Sequence, residues 1–210
     1  MKRLFDIVLT LLAAPVILPV CLVTALLVAR RLGRPVLFTQ QRAGRDGRIF
    51  TIFKFRSMTD ARHADGVLLP AEDRLTPFGR RLRSTSLDEL PQLLNVLRGD
   101  MSLVGPRPLL PEYVARYSPE QRRRLDVRPG VTGLAQVLGR NRLSWDEKFA
   151  LDVAYVDRQS LWLDIRIILM TVGVLLKRGG GVEPEDKAIM EEFRGSDDGR
   201  EQRGSGESDL

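Results

Sequence analysis

The chain has 210 residues, a net charge of +6, one cysteine and one histidine, enough for one domain of ordinary size with a tail. The lone Cys21 excludes an intrachain disulfide, and no HExxH, GxGxxG or Walker A pattern is present, which removes the common zinc, dinucleotide and P-loop chemistries. From Gly181 onward ten acidic side chains stand against four basic ones, a net of −6, so residues 1–180 carry 29 basic and 17 acidic side chains, a net of +12; such a body suits nucleic acid or the anionic cytoplasmic leaflet of a membrane.

Ile7 to Ala29 is an uncharged run long enough to cross a bilayer as a helix at about 1.5 Å per residue, which favours the membrane over nucleic acid. It is longer than a signal-peptide core and ends without an AxA-like cleavage site. Lys2 and Arg3 precede it and Arg30, Arg31 and Arg34 follow it, so positive-inside bias is best met if both ends stay cytoplasmic. Pro15 and Pro19 each remove a helical hydrogen bond near mid-depth. A re-entrant hairpin bent near Pro15 is therefore expected, with a kinked spanning helix as the alternative and residues 1–34 as the membrane element.

Val36 to Thr39 and Ile49 to Phe55 are β-prone runs around the turn signal Gly44 to Gly47. Lys54, between two phenylalanines, is the candidate phosphate contact in a piece crowded with bases. His63 lies in a polar loop and reads as a surface residue. Thr76 to Arg83 predicts a short helix that suits the headgroup interface.

Ser86 followed by Glu89 ahead of an apolar run has capping-box spacing, which puts Asp88 and Glu89 in a first helical turn, where carboxylates are favoured for structural reasons alone. Two features point further. Pro91 lacks an N–H and disturbs that turn, and Gly105, Pro106, Arg107, Pro108 hold one guanidinium on a stiff backbone suited to a phosphate.

Ser118 and Pro119 predict a helix start; the run Arg122 to Arg124 reads equally as helical surface or as a headgroup contact. Val131 to Val137 reads as a strand interrupted by Gly133. Ser144 to Glu147 repeats the capping box and opens a helix through Gln159, with Asp146, Asp152 and Asp157 as either a charged face or site residues. Leu161 to Leu176 predicts an amphipathic or buried helix. Beyond Gly179 the polar segment reads as a disordered tail carrying Ile189, Met190 and Phe193 as a short docking element.

Taken together these residues resemble the small monotopic phosphoglycosyl transferases, or bacterial sugar transferases. The resemblance runs through KRLFD at Lys2 to Asp6, FTQQRAGRDGRIFTIFKFRSM at Phe38 to Met58, RSTSLDELPQLLNVLRGDMSLVGPRPLLPEY at Arg83 to Tyr113, RPGVTGLAQVLGRN at Arg128 to Asn141 and SWDEKFALDVAYV at Ser144 to Val156. It implies an α+β, mostly helical monotopic membrane protein with a small β element, a catalytic domain at 35–178 and a tail at 179–210. The implied reaction moves a sugar 1-phosphate from a UDP-sugar to undecaprenyl phosphate, releasing UMP through a phosphosugar-aspartyl intermediate. It would be the first membrane step of bacterial glycoconjugate synthesis, at the cytoplasmic face of the inner membrane.

Asp88 and Glu89 are then the catalytic dyad, Asp88 the nucleophile and a ligand of the required Mg²⁺. Lys54, Arg56, Arg83, Arg107, Asn141, Asp152 and Asp157 are the candidate phosphate or substrate contacts. The expected sugar is an N-acetylated amino sugar such as N,N'-diacetylbacillosamine, with a UDP-hexose as the alternative and a non-catalytic scaffold of polysaccharide assembly as the other. Downstream glycosyltransferases are further expected partners, and nucleic acid is not. The chain is also expected to be the minimal catalytic unit. Ala14 and Leu134 and Leu138 depart from the pattern of many relatives, at the serine of the membrane break and at a Trp and an Asn.

Overall fold

The computed structural model describes residues 1–139, 143–178 and 192–195. Helix α1 (Lys2–Leu32) runs unbroken through Pro15 and Pro19, so the apolar run is one helix in hydrogen-bonding terms. It meets the length and hydropathy of a membrane-crossing segment. Its middle is exposed at Leu11, Leu12, Val16, Leu18, Leu22 and Val23, whereas both of its ends are fixed to the same body.

At the N-terminal end, the buried Asp6 accepts from Ser102 Oγ at 2.8 Å and from the Leu103 N–H at 3.2 Å. Lys2 reaches the buried Asp164 at 2.6 Å, and Arg3 donates to the carbonyls of Val96 and Leu97. Toward the other end, Val28 and Leu32 pack with Phe55 and Leu82. The polar residues of this apolar helix thus serve its attachment: Asp6 satisfies a backbone N–H and a hydroxyl that would otherwise be buried unpaired.

Strands β1 (Leu37–Ala43) and β2 (Ile49–Phe55) form the expected hairpin, paired antiparallel from Leu37↔Phe55 to Ala43↔Ile49. The first strand runs four residues past the β-prone core at Val36 to Thr39, because pairing with β2 supplies backbone bonds that the polar Gln40, Gln41 and Arg42 do not signal. Helix α2 (Ala71–Arg74) interrupts the predicted loop, and α3 (Pro77–Ser84) starts as expected, with the Thr76 side chain accepting from Gly79 N–H. Leu87–Gln92 forms a 3₁₀ turn that leads into α4 (Leu93–Arg98).

Here the capping-box expectation fails. Ser86 has φ of 57° and makes no side-chain cap, because Glu89 is drawn to two cations instead of to the backbone. Pro91, inside the 3₁₀ turn, cannot supply the N–H that an α-helix would need there.

Strands β3 (Ser102–Val104) and β4 (Gly130–Thr132) pair in parallel, with α5 (Pro119–Arg122) between them in sequence. A Cβ on Gly105 would lie 2.4 Å from the Arg128 carbonyl, and one on Gly130 would lie 2.1 Å from the Gly105 nitrogen. Two glycines are therefore required for these backbones to touch, and their contact seats the Pro106 to Pro108 segment. The predicted strand through Val137 stops at Thr132, and Leu134–Leu138 forms helix α6. Gly133 separates the two elements rather than bulging one.

Helix α7 (Trp145–Asp157) carries the capping box predicted at Ser144 and Glu147. Helix α8 (Leu161–Arg178) buries Asp164 and Ile167 while Trp162, Ile165, Leu169, Val172 and Leu176 face outward. Arg124 is buried, donating to Asp152 at 2.7 Å, so this arginine of the basic run is neither surface nor headgroup contact. Most of the predicted tail lies outside the described residues. Within 192–195, Phe193 is buried against Tyr113, Tyr117, Trp145 and Phe149.

Replacing Asp6 with alanine leaves the Ser102 hydroxyl and the Leu103 N–H without their acceptor and removes a carboxylate from beside Lys2. It is expected to cost about 3 kcal/mol, read as a lowered denaturation midpoint of the detergent-solubilised protein, while Leu4→Ala at an exposed position of the same helix changes little.

Candidate active site

The dyad sits where three stiff elements meet. Leu87–Gln92 carries Asp88 and Glu89, β2 carries Lys54, and the segment after Gly105 carries Arg107. Glu89 Oε1 accepts from Lys54 Nζ at 2.8 Å and from Arg107 Nη2 at 2.8 Å. Both bonds are charge-assisted and roughly twice as strong as neutral ones.

Burial alone would raise the Glu89 carboxyl, but Arg107 and Lys54 outweigh it and hold Glu89 well below the usual carboxylate range. Burial likewise lowers Lys54, which Glu89 partly offsets. Glu89 is thus a fixed negative charge that holds two cations side by side.

Asp88 is treated differently by the same fold. It is 7% exposed, and among the described residues its carboxylate has neither an ion pair nor a hydrogen bond. Burial and the neighbouring Glu89 charge raise it to about 6, against the pull of Lys54, Arg83 and Arg107. Two adjacent carboxylates are driven apart in acidity, one clamped as an ion and one left basic and uncommitted, which is the pattern of paired groups with separate roles.

Of the other predicted contacts, Arg83 is held near Asp88 and donates from Nε to Ser57 Oγ at 2.9 Å. Arg56 turns away, to the carbonyls of Met58 and Arg34 and to Asp60. Asp152 pairs with Arg124, whose Nη2 also donates to the Arg107 carbonyl at 2.7 Å; it bears on the site by anchoring Arg107, not by facing the dyad. Asp157 is at the surface with Arg123. Asn141 lies outside the described residues.

Asn95, with no role assigned from sequence, is fully buried; it accepts from the Phe53 N–H and donates to the Thr51 carbonyl. It thereby locks β2, and so Lys54, to the dyad segment. Its signal in the sequence is a lone amide amid the apolar residues of LLNVL. No group of three or more His, Cys, Asp or Glu placed to hold a metal occurs among the described residues. The free Asp88 carboxylate still fits Mg²⁺, which commonly takes one or two protein carboxylates and completes its shell with phosphate and water.

The sequence model of the family described as bacterial sugar transferase matches residues 1–178. The chain is 48% identical over 198 residues to the uncharacterized sugar transferase EpsL of Bacillus subtilis, covering 94% of this chain and 98% of that relative. It is 43% identical over 185 residues to the UDP-glucose:undecaprenyl-phosphate glucose-1-phosphate transferase of Caulobacter vibrioides, covering 83% of this chain and 69% of the relative. With the undecaprenyl-phosphate galactose phosphotransferase of Salmonella typhimurium it shares 40% over 197 residues, 86% of this chain but only 41% of that longer relative.

Because the folded protein holds the Asp88 proton more tightly than an unfolded chain does, this group favours folding below the ordinary aspartate range near pH 4. That contribution is lost as pH rises through about 6. Asp88→Asn should therefore raise the melting temperature at pH 8 and change it little at pH 4, as measured by thermal scans in buffers of equal ionic strength.

Proposed function

The chain belongs to the bacterial sugar transferase family, and from that membership we propose that it is a phosphoglycosyl transferase moving hexose 1-phosphate from a UDP-hexose to undecaprenyl phosphate, with release of UMP. The observation that carries the reading is the buried, unpaired Asp88 carboxylate beside a Glu89 clamped by Lys54 and Arg107. Several relatives carry names that state galactose or glucose, which favours the hexose over the N-acetylated amino sugar.

Asp88, raised to about 6, is ionised at neutral pH yet more basic than an ordinary carboxylate, a useful combination for a nucleophile. In the first step an Asp88 oxygen bonds to the β-phosphorus of the donor, the bond from that phosphorus to the bridging oxygen breaks, and UMP leaves with the electron pair. In the second, an oxygen of undecaprenyl phosphate attacks the same phosphorus and frees Asp88. Lys54 and Arg107, held by Glu89, face the charge on the phosphoryl oxygens. Mg²⁺, when bound at Asp88 with the donor phosphates, would supply further charge neutralisation.

Residues 1–34 form the membrane element and residues 35–178 the catalytic domain on this reading, with the active face toward the cytoplasm at the inner membrane. Support comes from α1, whose exposed apolar middle lies between two ends that pack on one body. Pro15 and Pro19 lie inside the 31 residues of α1 and each lacks a helical hydrogen bond, so a bend there that returns the chain to the same side is consistent with both attachments. The outward apolar stripe of α8 offers a second contact with the headgroup region.

The reaction is checked by UMP release from UDP-galactose and UDP-glucose with undecaprenyl phosphate and Mg²⁺. The native chain should turn over with kcat/KM rising with pH to a plateau above about 6, and Asp88→Asn should lose at least about a thousandfold. Turnover of that variant at the native rate would refute the assignment. Membrane placement is checked separately by replacing Leu4 and Arg31 one at a time with cysteine in a Cys21→Ser background. Both should be labelled from the same side of sealed vesicles, and labelling from opposite sides would mean a spanning helix.

A further inference from the structure

Beside the dyad, between the hairpin and the Leu87–Gln92 turn, lies a small open niche lined by Arg42, Ile52, Lys54, Gln92, Arg107 and Pro108. The catalytic reading uses Lys54 and Arg107 and leaves the other two polar residues without a role. Gln92 is 2% exposed, and its Nε2 has no hydrogen-bond partner among the described residues. Arg42 Nε is also buried without a partner, although Nη2 of the same guanidinium donates to Gln40 Oε1 at 2.6 Å. Two donors kept out of water and without a partner among the described residues, on side chains that line one opening, are a standing penalty that an acceptor reaching them from the opening would remove.

The backbone explains why they converge. Gln92 follows Glu89 by three residues in a 3₁₀ turn, where side chains at that spacing eclipse. Arg42 pairs with Phe50 in the hairpin register, and residues 50, 52 and 54 alternate to one face of β2. Arg42, Ile52 and Lys54 therefore belong to the same sheet face.

The charge balance points the same way. Arg42 lies close enough to Arg107 for the two guanidinium groups to repel, with Glu89 and Glu112 as the acidic groups in reach. Glu89 is already engaged by Lys54 and Arg107. Ile52 and Pro108 wall the niche with carbon and keep the donors dry.

We propose that this niche is a phosphate subsite, in which Gln92 Nε2 and Arg42 Nε donate to the oxygens of a substrate phosphate that is not itself transferred. It rests on the reading of Asp88 as the phosphoryl acceptor, since the adjoining phosphoryl group must then be parked beside Lys54 and Arg107. That group is either the nucleotide phosphate of the donor or the phosphate head of the lipid acceptor.

The test is calorimetric binding of inorganic phosphate and of UMP to the full-length detergent-solubilised chain, native and as Gln92→Leu or Arg42→Met, together with KM for each substrate. Each substitution should weaken phosphate binding by about tenfold or more. If UMP binding and the KM for UDP-sugar also worsen, the niche holds the nucleotide phosphate. If only the KM for undecaprenyl phosphate rises, it holds the lipid head.

Unchanged affinities and unchanged KM for both substrates overturn the subsite even while the native enzyme turns over. A native chain that binds phosphate in a Gln92-dependent way but releases no UMP from any UDP-sugar overturns the catalytic reading and leaves the subsite standing. Should Gln92→Leu fail to fold, Arg42→Met, at a half-buried position, decides the matter alone.

Discussion

One oxygen organises this protein. Glu89 Oε1 is shared by Lys54 and Arg107 at 2.8 Å each, and through those two bonds the β-hairpin, the 3₁₀ turn and the Gly105 to Pro108 segment become a single object. Losing any partner would strand a partly buried charge, which is the expensive way to break an ion pair. The surrounding structure is arranged to keep the three together. Asn95 pins β2 to α4, the helix that the dyad turn leads into, Arg124 holds the Arg107 carbonyl while bonded to Asp152, and the Gly105 and Gly130 backbones touch because neither has a side chain.

The clamp gives two neighbouring carboxylates opposite characters. Glu89 absorbs the cations and stays ionised, and burial, reinforced by the fixed Glu89 charge, makes Asp88 reluctant to ionise. On the proposed reading a nucleophile for phosphorus needs lone-pair basicity and freedom from competing hydrogen bonds, and among the described residues Glu89 takes Lys54 and Arg107 and leaves the Asp88 carboxylate without a hydrogen bond. Attachment to α1 adds the second constraint. Asp6, Lys2 and Arg3 at one end and Val28 and Leu32 at the other fasten the helix to the same body, so the apolar middle is the part free to sit in lipid.

Much of this was legible in the residues, for reasons that differ by element. The hairpin followed from alternation and a glycine turn and the α7 start from Ser144 and Glu147, and Lys54, Asp88, Glu89 and Arg107, singled out as candidates in the sequence, are brought together by the fold. The capping box at Ser86 was misleading because sequence spacing is blind to Lys54, a cation 35 residues away that competes for the same glutamate. Gly133 was read as a flaw in a strand when it separates a strand from a helix. Arg124 was invisible as a core residue, since its burial depends on Asp152, and Phe193, expected as part of a docking element, seats in an aromatic cluster gathered from distant segments that local pattern could not name. Local pattern gave the elements, and the long-range pairs decided which of their side chains meet.

The central claim is that Asp88 forms a bond to phosphorus during turnover. The most direct measurement is the intact mass of the protein after incubation with a UDP-hexose and Mg²⁺ but without undecaprenyl phosphate, followed by peptide mapping. The account predicts an adduct of one hexose phosphate per chain, mapped to Asp88, absent from Asp88→Asn and lost when the lipid phosphate is added. An adduct on another residue, or no adduct without acceptor from a preparation that turns over fully once undecaprenyl phosphate is supplied, would contradict it.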